Sequence, residues 1–321
     1  METDPFEPTW GQKLLGIMVK SGFEVASRTA SFIPKYRRAL QQLECLKNLE
    51  YGPHITHRLD LHYPPGWSQK QASQTPLPTV FYIHGGGFRI LSKDTHWPFV
   101  YSFTQQGYAV VNINYRLAPQ WKCPAAVEDA VRALEWILDQ SQSLGLNVNQ
   151  FHIAGESAGG NLALAVGLCT VRKGSTSWSQ SLYNRRWQPS SILPACGFLD
   201  AGHPESHKGY VPSFILKRIQ ALSEFYISGS TEPHWASPLK EIEDADQPWD
   251  RPFPPLCITV GDKDFIYRDS LRLYQACRRL NIPHQYHEYP RKGHAFHAIL
   301  WTQDARQCWD DHFQFLNSLS T

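Results

Sequence analysis

The sequence predicts an α/β fold, with a mostly parallel central sheet flanked by helices on both faces. Two observations carry this. Strand-like and helix-like segments alternate through the middle and end of the 321-residue chain, the pattern of parallel strands joined by helical crossovers. The strand-like runs are short and nearly continuously apolar, as at Thr79–Ile83, which suits strands buried on both faces. In such sheets ligands gather beyond the carboxyl ends of the strands, so the residues just after each run are where chemistry is expected.

Taken in order, residues 8 to 50 read as helices. Leu14, Leu15, Met18 and Val19 fit a helical stripe, and Ala39-Leu40-Gln41-Gln42-Leu43-Glu44 is rich in good helix formers. "ITHRLDLHY" (55–63) alternates enough to be a strand, and the Pro-rich "PPGWSQKQASQTPLP" is a loop. After the strand at Thr79–Ile83 come a helix near 95–106, a strand in "YAVVNINY" (108–115), and a helix in "PAAVEDAVRALEWILDQS". That helix stripes Val127, Val131, Leu134 and Leu138, with Pro124 at its start, where a missing N–H costs nothing. A strand at 150–155 leads into the helix "AGGNLALAVGLCTV". Residues 171–190 are polar and basic and read as an exposed loop, and "SILPACGFLD" as a strand. A helix is expected near 213–227, a strand at 255–261, a helix striped by Leu271, Tyr274, Cys277 and Leu280, a last strand at 284–289 and a closing helix at about 299–318. The organisation is therefore an N-terminal helical segment over 1–50 and an α/β domain over 51–321 with an insertion near 201–250. The first segment and part of the insertion lie outside the alternation and are the candidates for a lid over the site.

Composition narrows the function classes. Formal net charge is +2 with acids and bases interspersed, which gives no electrostatic reason for a nucleic-acid partner. The seven cysteines are scattered with no C-x-x-C spacing, so neither a zinc site nor a disulfide framework follows, and free thiols in a reducing compartment are expected. The start "METDPFEPTWGQ" is acidic and carries no signal-peptide pattern, and no run of apolar residues is long enough for a transmembrane helix, so a cytoplasmic location is expected.

The strongest chemical signal is Gly155-Glu156-Ser157-Ala158-Gly159, a G-x-S-x-G between a strand and a helix. A serine at that corner is held in a strained turn that lifts its hydroxyl above the sheet edge, as a nucleophile requires. The second signal is "FYIHGGGF" (81–88), where a strand runs into Gly85, Gly86 and Gly87. Attack by a serine on an acyl carbon makes an oxyanion, and main-chain N–H groups must already point at it with no side chain in the way. The three glycines can bring backbone that close, and the Ala158 N–H supplies a further donor.

"HGGGF", "YRLAPQWKCPAAVEDA" (115–130) and "GESAGGNLA" (155–163), in that order, resemble the hormone-sensitive-lipase-type family of α/β-hydrolases, the carboxylesterases and arylacetamide-deacetylase-like enzymes. The similarity runs from about residue 78 to the C-terminus. It implies an eight-stranded sheet, a helical cap partly from the N-terminus, and an ester-hydrolysing triad in the order Ser…Asp…His. The resemblance places the base at His294 in "PRKGHAFHAI", with His297 as the alternative. It places the orienting acid among Asp262, Asp264 and Asp269 after "PLCITVG". The family spaces its two loop aspartates four residues apart, whereas Asp264 and Asp269 are five apart; Asp264 is preferred and Asp262 is next. Glu128 and Asp129 read as structural supports of the loops near the glycines. Trp97, Phe88, Phe214 and Tyr226 are candidates to line a pocket or simply to fill the core.

The expected function is a serine hydrolase acting on a small-molecule ester or related acyl substrate through an acyl-enzyme, with no metal or organic cofactor. Acyl transfer or thioester release, a lyase or cyclase on the same scaffold, and a ligand receptor are the alternatives. A receptor of this family keeps the serine and loses the histidine, so "GHAF" argues against it.

Overall fold

A computed structural model describes residues 33–246 and 249–319. Eight strands form one sheet: β1 (Cys45–Glu50), β2 (Arg58–His62), β3 (Leu77–Ile83), β4 (Ala109–Ile113), β5 (Leu146–Glu156), β6 (Ser191–Ala195), β7 (Leu256–Gly261) and β8 (His284–Tyr289). Their spatial order is β1-β2-β4-β3-β5-β6-β7-β8. Every pair from β4 to β8 is parallel, and only the β1–β2 and β2–β4 pairings are antiparallel.

Alternate residues of the central strands feed two separate cores. Phe81, Ile83, Val111 and Ile113 pack with Leu134 and Leu162 from helices Ala125–Leu144 and Ala158–Val171. Val80, Tyr82 and Val110 pack on the other face with Phe103, Trp309 and Phe313 from helices Trp97–Thr104 and Gln303–Ser318. This is why the strands read as unbroken apolar runs. Val80, Phe81 and Ile83 are fully buried, and each such side chain contributes about 1.5 to 3 kcal/mol. Helix Ala158–Val171 is buried at every residue, as its all-round apolar sequence demands.

Two expectations need correction. Residues 45–50, read as helical, form the edge strand β1, so the sheet begins before residue 51. Leu46 and Leu49 pair across to Leu61 and Leu59 and pack on the core, and that burial outweighs local helix propensity. Of the helical reading, Pro34–Gln41 stands, while the stripe at Leu14, Leu15, Met18 and Val19 lies outside the described residues. Residues 171–190 are not all loop: Ser177–Asn184 is a helix that buries Leu182 and sets Trp178 against Trp235.

The segment between β6 and β7 holds a helix at Ser213–Ile227 and a shorter one at Pro238–Glu243. The longer helix is fastened near the end of β3, where Tyr226 stacks on Phe88 with ring centroids 3.8 Å apart and accepts the Cys123 N–H on its carbonyl at 2.8 Å. Among the described residues no helix is long and apolar enough to cross a membrane.

Candidate active site

The topology decides which loops meet. β3 and β5 are neighbours, with Ile83 opposite Gly155, so the glycine loop and the Ser157 turn leave the same edge side by side. β7 and β8 are neighbours, with Gly261 opposite Tyr289, so the loops carrying Asp264 and His294 leave that edge together.

Ser157 sits between β5 and its helix at φ 56°, ψ −119°, a conformation that L-residues rarely take and that costs about 1 to 3 kcal/mol. The surroundings hold it there. Its N–H donates to the Ala195 carbonyl at 3.0 Å, and its carbonyl accepts from Phe198 N–H at 3.0 Å. Asn161 braces the same corner, donating from Nδ2 to the carbonyls of Phe198 at 2.7 Å and Ala236 at 2.9 Å. Gly159 is obligatory for close approach, because a Cβ there would lie 2.0 Å from the Ile83 carbonyl oxygen.

The glycine loop is only partly as expected. Gly86 (φ +112°) and Gly87 (φ +60°) adopt backbone that favours glycine, and their N–H groups have no acceptor among the described residues. The Ala158 N–H opens its helix and so has no acceptor within it. The Gly85 N–H, expected as a third loop donor, is instead spent on Glu156 Oε1 at 2.6 Å. Gly85 therefore anchors the loop rather than facing an oxyanion.

Glu156 is the residue the sequence reading missed. Its carboxylate is buried and takes His96 Nε2 at 2.7 Å, the Tyr82 hydroxyl and the Gly85 N–H. Burial raises its pKa, but His96, Tyr82 and the Gly85 N–H together more than offset that and leave it lowered. An acidic residue forced into the interior immediately before a strained serine was the available signal, since a buried carboxylate needs partners.

His294 Nδ1 donates to Asp264, 2.8 Å from Oδ2 and 3.0 Å from Oδ1. Asp264 is itself held by the Ile266 N–H at 3.0 Å. Burial acts to lower the His294 pKa, but the Asp264 carboxylate overrides it and the net shift is upward. Asp262 does not reach the ring: it accepts the Arg291 N–H at 2.6 Å and stitches the two loops together. Asp269 is buried and accepts the N–H groups of Leu199 at 2.9 Å and Asp200 at 3.1 Å. His297 points elsewhere, into a buried aromatic cluster with Phe99, Trp309 and His312, and burial pushes it down to about 4. Cys196, next in sequence to the Ala195 that takes the Ser157 N–H, places its thiol within 4.8 Å of a donor atom of both Asp264 and His294.

Asp129 and Glu128 are structural, as read. Asp129 takes Arg116 through its main-chain N–H at 2.8 Å and its guanidinium, and His57 Nε2 at 2.9 Å; Glu128 takes Arg116 at 2.8 Å. This fixes the loop after β4, whose Ala118 N–H donates to Phe88 just past the glycines at 2.8 Å. Of the pocket candidates, Phe88 and Tyr226 are core, Trp97 packs on Tyr36, and Phe214 is exposed. Two side chains not singled out lie nearer the chemistry: Phe265, whose ring centroid is 4.6 Å from that of His294, and Leu222, 3.2 Å from where a Gly87 Cβ would be.

A serine lifted on a strained strand-to-helix turn, fed by a parallel sheet, is the architecture of hydrolases built on a nucleophile elbow. Comparison with known proteins agrees: residues 80–298 match the alpha/beta hydrolase fold family, and the chain belongs to it. Esterase LipI of Mycobacterium tuberculosis is 27% identical over 240 residues, spanning 72% of this chain and 69% of that protein. The acetyl esterase of Salmonella typhi is 27% identical over 264 residues, spanning 78% and 72%. Among solved structures, esterase LipW from Mycobacterium marinum superimposes with a TM-score of 0.76 at 20% identity, covering 98% of this chain and 92% of that one. The hormone-sensitive-lipase-type resemblance and the eight-stranded sheet it implied both hold.

Proposed function

We propose that this ester hydrolase works through Ser157, His294 and Asp264 in two acyl-transfer halves. Ser157 Oγ attacks the ester carbonyl while His294 Nε2 takes its proton. The N–H groups of Gly86, Gly87 and Ala158 stabilise the oxyanion, and each such donor contributes about 3 to 4 kcal/mol to the transition state. His294 then protonates the leaving alcohol, and water attacks the acyl-enzyme with His294 again as base. Asp264 holds Nδ1 protonated, so that Nε2 is the free base.

The observation that carries the reading is the Asp264–His294 hydrogen bond, formed at the same sheet edge as the strained Ser157. A receptor that had discarded catalysis would have no need of that pair. The helix at 213–227, with Leu222 against Gly87, supports a cap role for the insertion and leaves limited room beside the oxyanion loop. The acetyl esterase relative acts on a short acyl group by its name, and we extend that preference to this chain. Seven free cysteines suit a reducing compartment, which supports the cytoplasm. Turnover of nitrophenyl esters of increasing acyl length tests the reading. Fastest hydrolysis of the shortest acyl groups, abolished in Ser157→Ala, is expected; undiminished rates in that variant contradict it.

A further inference from the structure

We propose that Cys196, Asp264 and His294 form an inhibitory site for a thiophilic divalent cation such as Zn2+. One donor atom from each, a thiol sulfur, a carboxylate oxygen and a ring nitrogen, lies within 4.8 Å of the other two. These are the three ligand types zinc uses. Bonds of about 2.0 to 2.3 Å around a tetrahedral ion place donors roughly 3.3 to 3.7 Å apart, so side-chain shifts of about 1 Å close the site. Cys196 and Asp264 are buried, while the His294 side chain is 23% exposed and provides the entry path and room for a solvent molecule as fourth ligand. Cys196 is held in place by its N–H, which donates to Thr259 at 2.6 Å.

The proton account explains why occupancy stops turnover. The Cys196 thiol gives up its proton to solvent and binds as thiolate. His294 binds through Nδ1, the nitrogen that faces Asp264, and its ring proton moves to Nε2. An imidazole protonated at Nε2 cannot accept the Ser157 proton. Inhibition therefore rests on the triad reading, but binding does not. A second cluster, Cys45, Asp60 and His62 on β1 and β2, is poorer. Asp60 there already takes Lys93 Nζ at 2.9 Å and the Asn48 N–H at 2.7 Å, and the ammonium repels a cation.

The test uses Zn2+ inhibition and Co2+ absorption on the full chain. Zn2+ inhibits the wild type and EDTA restores the rate. Loss of even an outer partner costs about 10- to 100-fold in metal affinity, so Cys196→Ser raises the half-inhibitory concentration, measured against its own metal-free rate, at least about tenfold. Co2+ gives a thiolate charge-transfer band, a readout that needs no turnover; it persists in Cys45→Ser and disappears in Cys196→Ser. Should Cys196→Ser fail to fold, Cys196→Ala carries the same two readouts, loss of the band and loss of Zn2+ inhibition. No inhibition of the wild type, unchanged inhibition in Cys196→Ser, or a band lost in Cys45→Ser overturns the proposal.

Discussion

Glu156 Oε1 accepts the Gly85 N–H at 2.6 Å, so the acid that precedes Ser157 in sequence also holds the first residue of the glycine loop. The proposed nucleophile and the proposed oxyanion donors are thus set by one buried carboxylate, which His96 and Tyr82 hold from behind. Hydrogen bonds to a charged group contribute about 1.5 to 3 kcal/mol. If that energy is spent on donor placement, Glu156→Gln lowers kcat about 10- to 100-fold with little change in KM. Steady-state kinetics check this, and a variant that only raises KM contradicts the positioning role.

The pH profile follows from His294. Its pKa is raised by Asp264, so kcat/KM falls with decreasing pH through a midpoint above about 6.5. In Asp264→Ala only the Glu156 carboxylate still opposes burial, the midpoint moves down, and kcat drops roughly 10³- to 10⁴-fold. The stability sign is the reverse of the usual carboxylate case. A folded pKa above the unfolded one contributes stability in full below about pH 6.5, lost as pH rises through the raised value. A profile whose midpoint is the same in both proteins excludes His294 as the base.

Strain at the turn separates stability from turnover. Ser157→Gly removes the positive-φ cost and is expected to stabilise the fold by about 1 kcal/mol while abolishing hydrolysis. Gly159→Ala is expected to destabilise by about 1 to 3 kcal/mol, because its Cβ meets backbone that cannot move aside. Urea unfolding of both variants checks the pair; a destabilised Ser157→Gly would falsify the strain argument.

Buried neutral histidines set the acid limit. Burial pushes His84 and His312 down to about 3, and His152 and His297 down to about 4. Below about pH 6.5 the unfolded chain binds protons that the folded chain refuses. Stability is therefore full above that pH and is lost as pH falls toward these values, by up to about 1.4 kcal/mol per pH unit for each histidine. Urea midpoints measured from about pH 7.5 down to about pH 5 should fall steeply. A flat series contradicts it.

The sheet was legible because strands buried on both faces announce themselves as apolar runs, and the helix expected near 213–227 forms at Ser213–Ile227. β1 was not legible: "CLKNLE" has no strand pattern of its own, and pairing with β2 alone makes it one. The turn at Ser157 and the positive φ of Gly86 and Gly87 follow from local pattern, whereas the turn of Gly85 toward Glu156 does not. The choice between Asp262 and Asp264 depended on which side of a loop faces β8, which no local pattern encodes. Glu156 was overlooked for a related reason, since its three partners come from distant parts of the chain.

The most direct test is covalent. Incubation with a fluorescent alkyl phosphonate, followed by peptide mass analysis, should find one adduct, on Ser157, formed in step with loss of esterase activity and absent from Ser157→Ala. An adduct on another residue, or full inactivation of turnover with Ser157 unmodified, contradicts the account.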